Sequence, residues 1–165
     1  MTTGSWASAG PDERLDQVRR WTVLPDFASV NWHEPGSVRL AEHLLDRGVG
    51  IEAGLHTTES IAAWTRWPRR GETTRALLEV IEPLSAKSGL ARARNLVDAF
   101  HPWESAVPVL LHSEDVASWE VSREAARLGV DTRIGLEDTL FLADGTPARG
   151  NAELVRAAVD LYVAR

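Results

Sequence analysis

Arg133, Glu137 and Asp138 are the residues of this chain whose types and spacing best suit chemistry. They set a guanidinium and two adjacent carboxylates inside the stretch Asp131-Thr132-Arg133-Ile134-Gly135-Leu136-Glu137-Asp138-Thr139. Such a set can steady negative charge and move a proton. Val130 to Leu136 is otherwise rich in β-branched and apolar residues, which predicts a buried strand with Glu137-Asp138 at its carboxyl end. Burying a charge costs several kcal/mol unless it is paired or bound to a metal. The cluster is therefore either a structural ion pair or a site.

Other polar residues also follow predicted strands: Ser5, Asn31 with His33, Glu52 with His56, Glu82, and His112 with Glu114. In parallel α/β folds ligands bind at the carboxyl ends of the strands, so this distribution predicts one ligand face. Loops are polar everywhere, and for any single member a solvated or structural role is the commoner outcome. Arg133 stands out because an arginine inside a buried run requires a partner. The five histidines, His33, His43, His56, His101 and His112, are never two, three or four residues apart, so no pair has local metal-ligand spacing. No phosphate-cradling glycine loop, nucleophile elbow or HExxH zinc motif is present. Seven tryptophans are many for this length, and Trp6, Trp32 and Trp119 flank the predicted face; indole is more often core than ligand platform.

The elements that must carry these residues alternate. Pro11-Asp12-Glu13 opens a helix with Leu15, Val18 and Trp21 at helical spacing, and Phe27 to Asn31 is a short strand. Val38, Ala41, Leu44 and Leu45 stripe a second helix that ends at Gly48. Strands follow at Val49–Ala53, Leu77–Glu82 and Val107–His112. Helices follow at Ile61–Trp67, around Leu90–Phe100 and at Asp115–Leu128. Asp144-Gly145 predicts a hairpin turn after Leu140–Leu142, and Asn151 a cap for a last helix carrying Leu154, Val155, Ala158 and Leu161. Strand and helix signals thus recur every roughly 22–30 residues, the pattern of βα units on a parallel sheet.

The 165 residues predict one α/β domain, 1–165. An open doubly wound parallel sheet suits this length, whereas a complete (β/α)8 barrel takes about 250 residues. The net charge of −6, with basic and acidic residues interspersed, argues against a nucleic-acid or anionic-membrane face. The absence of cysteine removes disulfides, thiolate chemistry and cysteine-based zinc sites. With no apolar run of about 20 residues and no leader-like start, the sequence reads as cytoplasmic.

The stretches Leu24-Pro-Asp-Phe-Ala-Ser-Val-Asn-Trp-His-Glu34, Leu110-Leu-His-Ser-Glu114, Asp131 to Thr139, Asp144-Gly-Thr-Pro147 and Asn151-Ala-Glu-Leu-Val155 resemble the β-keto acid cleavage enzyme family, founded on 3-keto-5-aminohexanoate cleavage. The similarity runs over essentially the whole chain and is most specific in R-x-G-x-E-D. The resemblance implies a (β/α)8 barrel that binds a divalent metal, usually Zn2+, and transfers an acyl group: a β-keto acid and acetyl-CoA become acetoacetate and a new CoA thioester. By the same resemblance Glu137 matches a metal ligand, Arg133 and Asp138 the pair that activates substrate, and Glu52 a strand-end glutamate of the active site. Thr3, Gly4 and Ser5 resemble the polar turn after the third barrel strand, Asn31 begins a substrate-contacting loop, and His112 and Glu114 follow the seventh strand. The family takes two further metal ligands from a His-x-His after its second strand, and this chain has no His-x-His. It therefore reads as an incomplete barrel, about strands 3 to 8. Two functions follow: a metal-dependent cleavage enzyme, or a non-catalytic barrel remnant that lacks a complete metal site. Exposed sheet edges in such a remnant predict a homo-oligomer. A third option recruits His33, His56 or His112 as replacement ligands near Glu137.

Overall fold

The computed structural model describes residues 3, 10–101 and 105–163. The sequence's alternation becomes six helices and four strands among these residues: α1 Pro11–Arg19, β1 Phe27–Asn31, α2 Ser37–Asp46, β2 Gly50–Leu55, α3 Thr58–Arg66, β3 Arg75–Val80, α4 Ala86–Phe100, β4 Val109–Ser113, α5 Ser118–Leu128 and α6 Asn151–Val163. The strands form one parallel sheet in the order β1-β2-β3-β4. Each strand lies beside its sequence neighbour, as in a barrel segment, whereas an open doubly wound sheet reverses its order at a switch point. No helix among the described residues is long and apolar enough to cross a membrane.

The chain divides into two compact units, Met1–Leu77 with Trp103–Pro108, and Leu78–Pro102 with Val109–Arg165, so that β3 begins in the first and ends in the second. In the first unit β1 and β2 pair from Phe27↔Gly50 to Asn31↔Gly54. Because side chains alternate along a strand, this register puts Ala28, Val30, Ile51 and Ala53 on one face, where they are fully buried; Leu40, Ala41 and Leu44 of α2 are equally buried. Ser29, Asn31 and Glu52 take the opposite face. Helix α3 starts where it does because Thr57 and Ser60 exchange side-chain and backbone hydrogen bonds, each of 3.1 Å. Trp32, Trp64 and Trp67 are all buried, with the Trp32 and Trp67 rings 5.2 Å apart, so these indoles are core.

In the second unit Ser85 and Ser88 close the same kind of capping box at the start of α4. Trp119 of α5, Ile134, and Leu154 and Ala158 of α6 form a hydrophobic cluster. The strand predicted over Val130–Leu136 contracts to a single parallel bridge between Asp131 and Leu110. The ladder stops there because the Thr132 hydroxyl, rather than a further backbone N–H, bonds the Leu111 carbonyl at 2.8 Å. The hairpin predicted at Asp144-Gly145 is present, with Phe141 and Pro147 bridged antiparallel and Gly145 at φ 86°.

Glu124 of α5 is buried between Arg127 and Arg94, which lie 2.8 and 2.9 Å away and hold its carboxyl down to about 2. A carboxylate whose folded pKa is depressed adds stability that is fully present above its unfolded pKa and lost as the pH falls through the folded value. Both guanidinium groups are more than half exposed, so screening limits the contribution to about 1–2 kcal/mol. Urea titration should therefore find Glu124→Gln less stable than the wild type at pH 7, with the difference closing between pH 4.5 and about 2. An equal gap at pH 7 and pH 2 would contradict this assignment.

Candidate functional site

The segment after the Asp131 bridge is tied at several points, and these ties aim its charged side chains. Ile134 anchors it in the hydrophobic cluster. The Leu136 N–H donates to Asn151 Oδ1 at 2.7 Å, so Asn151, expected to cap its own helix, instead fastens the turn. The Gly135 carbonyl accepts from the Asp138 and Thr139 N–H groups at 2.9 and 3.0 Å. The Asp138 carbonyl in turn accepts from the Asp115 N–H at 2.6 Å and from the Ser118 hydroxyl at 3.1 Å. The Glu137 carboxylate lies against Gly135, so that a Cβ there would make the end of that exposed side chain swing aside. Glu137 thus folds back over Gly135 and is exposed.

Four ionisable side chains of the second unit converge beside this turn. Arg133 Nη2 donates to Asp138 Oδ1 at 3.0 Å and lies 3.5 Å from Glu79 Oε1. His112 Nε2 is 2.8 Å from the same Glu79 oxygen, and its Nδ1 is 3.6 Å from Asp138 Oδ1. The His112 and Asp138 side chains are 1% and 2% exposed, against 16% for Glu79 and 37% for Arg133, so the cluster is closed at one end and open at the other. Burial works to lower the Arg133 pKa, but the hydrogen bond and charge of Asp138, with the charges of Glu79 and Glu137, carry it above its usual value. Asp138 Oδ2, His112 Nδ1 and Arg133 Nε are buried with no hydrogen-bond partner among the described residues. Buried polar atoms without a protein partner are uncommon, and three of them meet in this cluster. Beside it lies a cavity of about 550 Å3 whose walls include Trp119, Leu136, Leu140 and Phe141 as well as Glu137 and Asp138.

The structure brings together Arg133, Asp138 and His112 of the sequence-predicted residues, and adds Glu79, which sequence reasoning missed. Glu82 and Glu114 belong elsewhere: the Glu114 carboxylate accepts the Glu82 N–H at 2.9 Å, securing a turn in which Glu82 has φ 49°. The signal for Glu79 was available, since it interrupts the apolar run Leu77-Leu78-Glu79-Val80 much as Arg133 interrupts its own.

Glu52 lies in the first unit, buried, where it accepts from the Ser29 hydroxyl at 2.5 Å and pairs with Arg75, whose guanidinium also stacks 5.2 Å over the Phe27 ring. Asn31 donates to Glu34 at 3.0 Å and turns its amide oxygen toward His56 Nε2 at 3.4 Å. That pose requires Gly54, where a Cβ would meet Asn31 Oδ1 at 2.4 Å. Thr3 is buried and its hydroxyl is spent on the Ser29 carbonyl at 2.6 Å. Gly4 and Ser5 lie outside the described residues, as does Trp6.

For a metal the donor set does not fit. Among the described residues no group of three or more histidine, aspartate or glutamate side chains is placed to hold an ion, whereas catalytic zinc takes about three protein ligands. His33 and His56 meet edge to face at 4.6 Å in the first unit without a third donor, and His112 has its Nε2 committed to Glu79. Replacement of the absent His-x-His by these histidines is therefore not what the described residues show.

A search of curated proteins finds no match to this chain. The family model described as beta-keto acid cleavage enzyme matches residues 1–164. A match of that extent, over a parallel α/β chain in which Arg133 and Asp138 of R-x-G-x-E-D are hydrogen-bonded, places the protein: it belongs to the β-keto acid cleavage enzyme family.

Proposed function

We propose that this chain acts on a short β-keto acid, and that acetyl-CoA is its co-substrate, giving acetoacetate and a new CoA thioester. The observation that carries this reading is the Asp138 carboxylate: one oxygen is fixed on Arg133 and the other is buried without a partner. The carbon between a keto group and a carboxylate is acidic, and a fixed, half-satisfied carboxylate is the group to take its proton. Arg133, the more exposed end of the cluster, is positioned to receive the substrate carboxylate or the charge that develops as the proton leaves. The cavity beside Glu137 and Asp138 offers an apolar wall for an acyl chain. By the family resemblance Glu52, Asn31, Thr3, Gly4 and Ser5 would be further substrate-side groups, and no contact between them and the Asp138 cluster enters this reading. The family is generally metal-dependent. Zn2+ would have Glu137 as one donor and would need the others from beyond the described residues, so no step is built on it.

A second reading is favoured by that incomplete donor set and by the row Val155, Val159 and Val163, which leaves one face of α6 apolar and exposed. In it the chain is a non-catalytic barrel remnant that assembles with a second copy of itself. One experiment separates the two. The purified, folded chain is given acetyl-CoA and a panel of β-keto acids, with and without added zinc, and acetoacetate is measured. Acetoacetate formation is the expected result; none from any pair of substrates, with zinc present, would leave the remnant reading standing.

A further inference from the structure

We infer that the cavity lined by α5 and the 139–147 hairpin takes the side chain of the keto acid, and that it selects an uncharged alkyl chain over one that ends in a second carboxylate. This rests on the function proposed above and adds the class of substrate. The cavity's walls belong wholly to the second unit. Val116 and, from α5, Trp119 stand on its wall with Leu136, Leu140 and Phe141. Val116, Leu136, Leu140 and Phe141 are 61, 42, 59 and 51% exposed, so apolar surface is left open around one hollow rather than scattered singly. The hairpin can present such a wall because its own backbone polar groups are spent elsewhere. The Phe141 N–H donates to Thr139 Oγ1 at 3.2 Å, and the Phe141 carbonyl accepts from the Trp119 indole at 2.8 Å. The Leu140 carbonyl accepts from the Ala148 N–H at 2.9 Å, and the Leu142 N–H donates to the Thr146 carbonyl at 2.8 Å. Little backbone polarity remains for this wall to offer, and a ligand meets hydrocarbon side chains there.

The charged members of the wall decide against an anionic tail. Arg123 is the only cation lining the cavity among the described residues, and its Nη1 is committed at 2.7 Å to Glu120, which lines the same cavity. Asp115 adds a carboxylate to the wall without adding a cation. A second carboxylate at the far end of a substrate would therefore leave water for apolar surface and lie near like charge, with no unpaired guanidinium to receive it. An alkyl tail meets neither obstacle. Each further methylene that it buries against the wall should raise kcat/KM about fourfold. The volume of about 550 Å3 lies in the range of pockets that enclose small organic ligands, so a chain of several carbons has room.

The test compares chains of equal length with and without the second charge. With acetyl-CoA and zinc present, 3-oxohexanoate should be turned over with a kcat/KM about tenfold or more above that of 3-oxoadipate, which has the same number of carbons but ends in a carboxylate. Lengthening to 3-oxooctanoate should raise kcat/KM about tenfold further. Leu140 and Phe141 are more than half exposed, so Leu140→Asp and Phe141→Ser alter the wall by two routes with little cost to the fold, which a melting curve checks. Leu140→Asp should lower the ratio of kcat/KM for 3-oxooctanoate over 3-oxohexanoate about tenfold, and Phe141→Ser should move it in the same direction. A kcat/KM on 3-oxoadipate that equals or exceeds that on 3-oxohexanoate would overturn the inference, as would a chain-length ratio that neither variant moves. If no β-keto acid is turned over, the catalytic reading fails and calorimetry with octanoate and suberate still decides the pocket. Octanoate held about tenfold more tightly than suberate by the wild type, and about tenfold less tightly by Leu140→Asp than by the wild type, keeps the cavity as an alkyl-chain site. Octanoate bound no more tightly than suberate, or equally by the variant, removes it.

Discussion

Asparagine at position 138 should cut kcat by about 10^3-fold while leaving the chain folded, the scale at which loss of a positioned general base is felt. The substitution keeps the carbonyl oxygen that accepts from Arg133 Nη2 at 3.0 Å, and it keeps the volume of a side chain that is 2% exposed. What it removes is the capacity of the second, partnerless oxygen to hold a proton, because an amide nitrogen cannot accept one. KM should change little, since Arg133 still presents its guanidinium from the more exposed end of the cluster. Stability should fall by no more than about 1–2 kcal/mol, because Arg133 retains Glu79 at 3.5 Å as a counter-charge. Steady-state kinetics at saturating acetyl-CoA with a melting curve on the same sample checks both halves. A variant that keeps a tenth of the wild-type kcat would mean that another group takes the substrate proton.

The contrast between Asp138 and Glu79 shows where the sequence is legible. The βα alternation could be read because each signal is local: apolar runs of strand length, helical stripes such as Leu40-Ala41-Leu44, and glycine or proline between them. Arg133, Asp138 and His112 could be singled out because each sets a polar group against an apolar neighbourhood. Glu79 meets the same criterion, but the pattern of polar residues after strands points to Glu82, which follows the predicted strand end. Only the lateral pairing of β3, β4 and the Asp131 segment places its carboxylate on His112. Register between strands is a non-local property, and no periodicity within one segment encodes it. The same limit explains Asn151, whose helix-capping chemistry was legible but whose partner, the Leu136 N–H, lies across the fold. It also explains the strand predicted over Val130–Leu136, where one threonine hydroxyl takes the carbonyl that a longer ladder would need. Composition fixes which residues can pair; the sheet decides which do.

Alanine at position 14 should destabilise the chain by about 3–5 kcal/mol, the cost of removing one partner from a buried ion pair. Arg14 lies on α1, packed beneath the turn that follows β1, and its guanidinium donates to the Glu34 carboxylate and to the Pro35 carbonyl. Both side chains of the pair are buried. Truncating Arg14 therefore strips a buried carboxylate of this counter-charge and a backbone carbonyl of its donor at once, whereas truncating an exposed pair such as Arg39–Asp12 should cost less than about 1 kcal/mol. The damage should reach the polar face of β1, because the other Glu34 oxygen accepts from Asn31 Nδ2 at 3.0 Å and Asn31 contacts His56. For a chain of this length, each kcal/mol lowers the melting temperature by roughly 2–4 °C, so Arg14→Ala should melt about 10 °C or more below the wild type. The double variant Arg14→Met, Glu34→Leu discriminates between a charge effect and a packing effect. If the loss comes from an abandoned buried charge, replacing both partners with apolar groups of similar volume should recover most of it. If the double variant is as unstable as Arg14→Ala, the turn after β1 needs the hydrogen bonds themselves, and the pair holds Asn31 in place through geometry rather than charge.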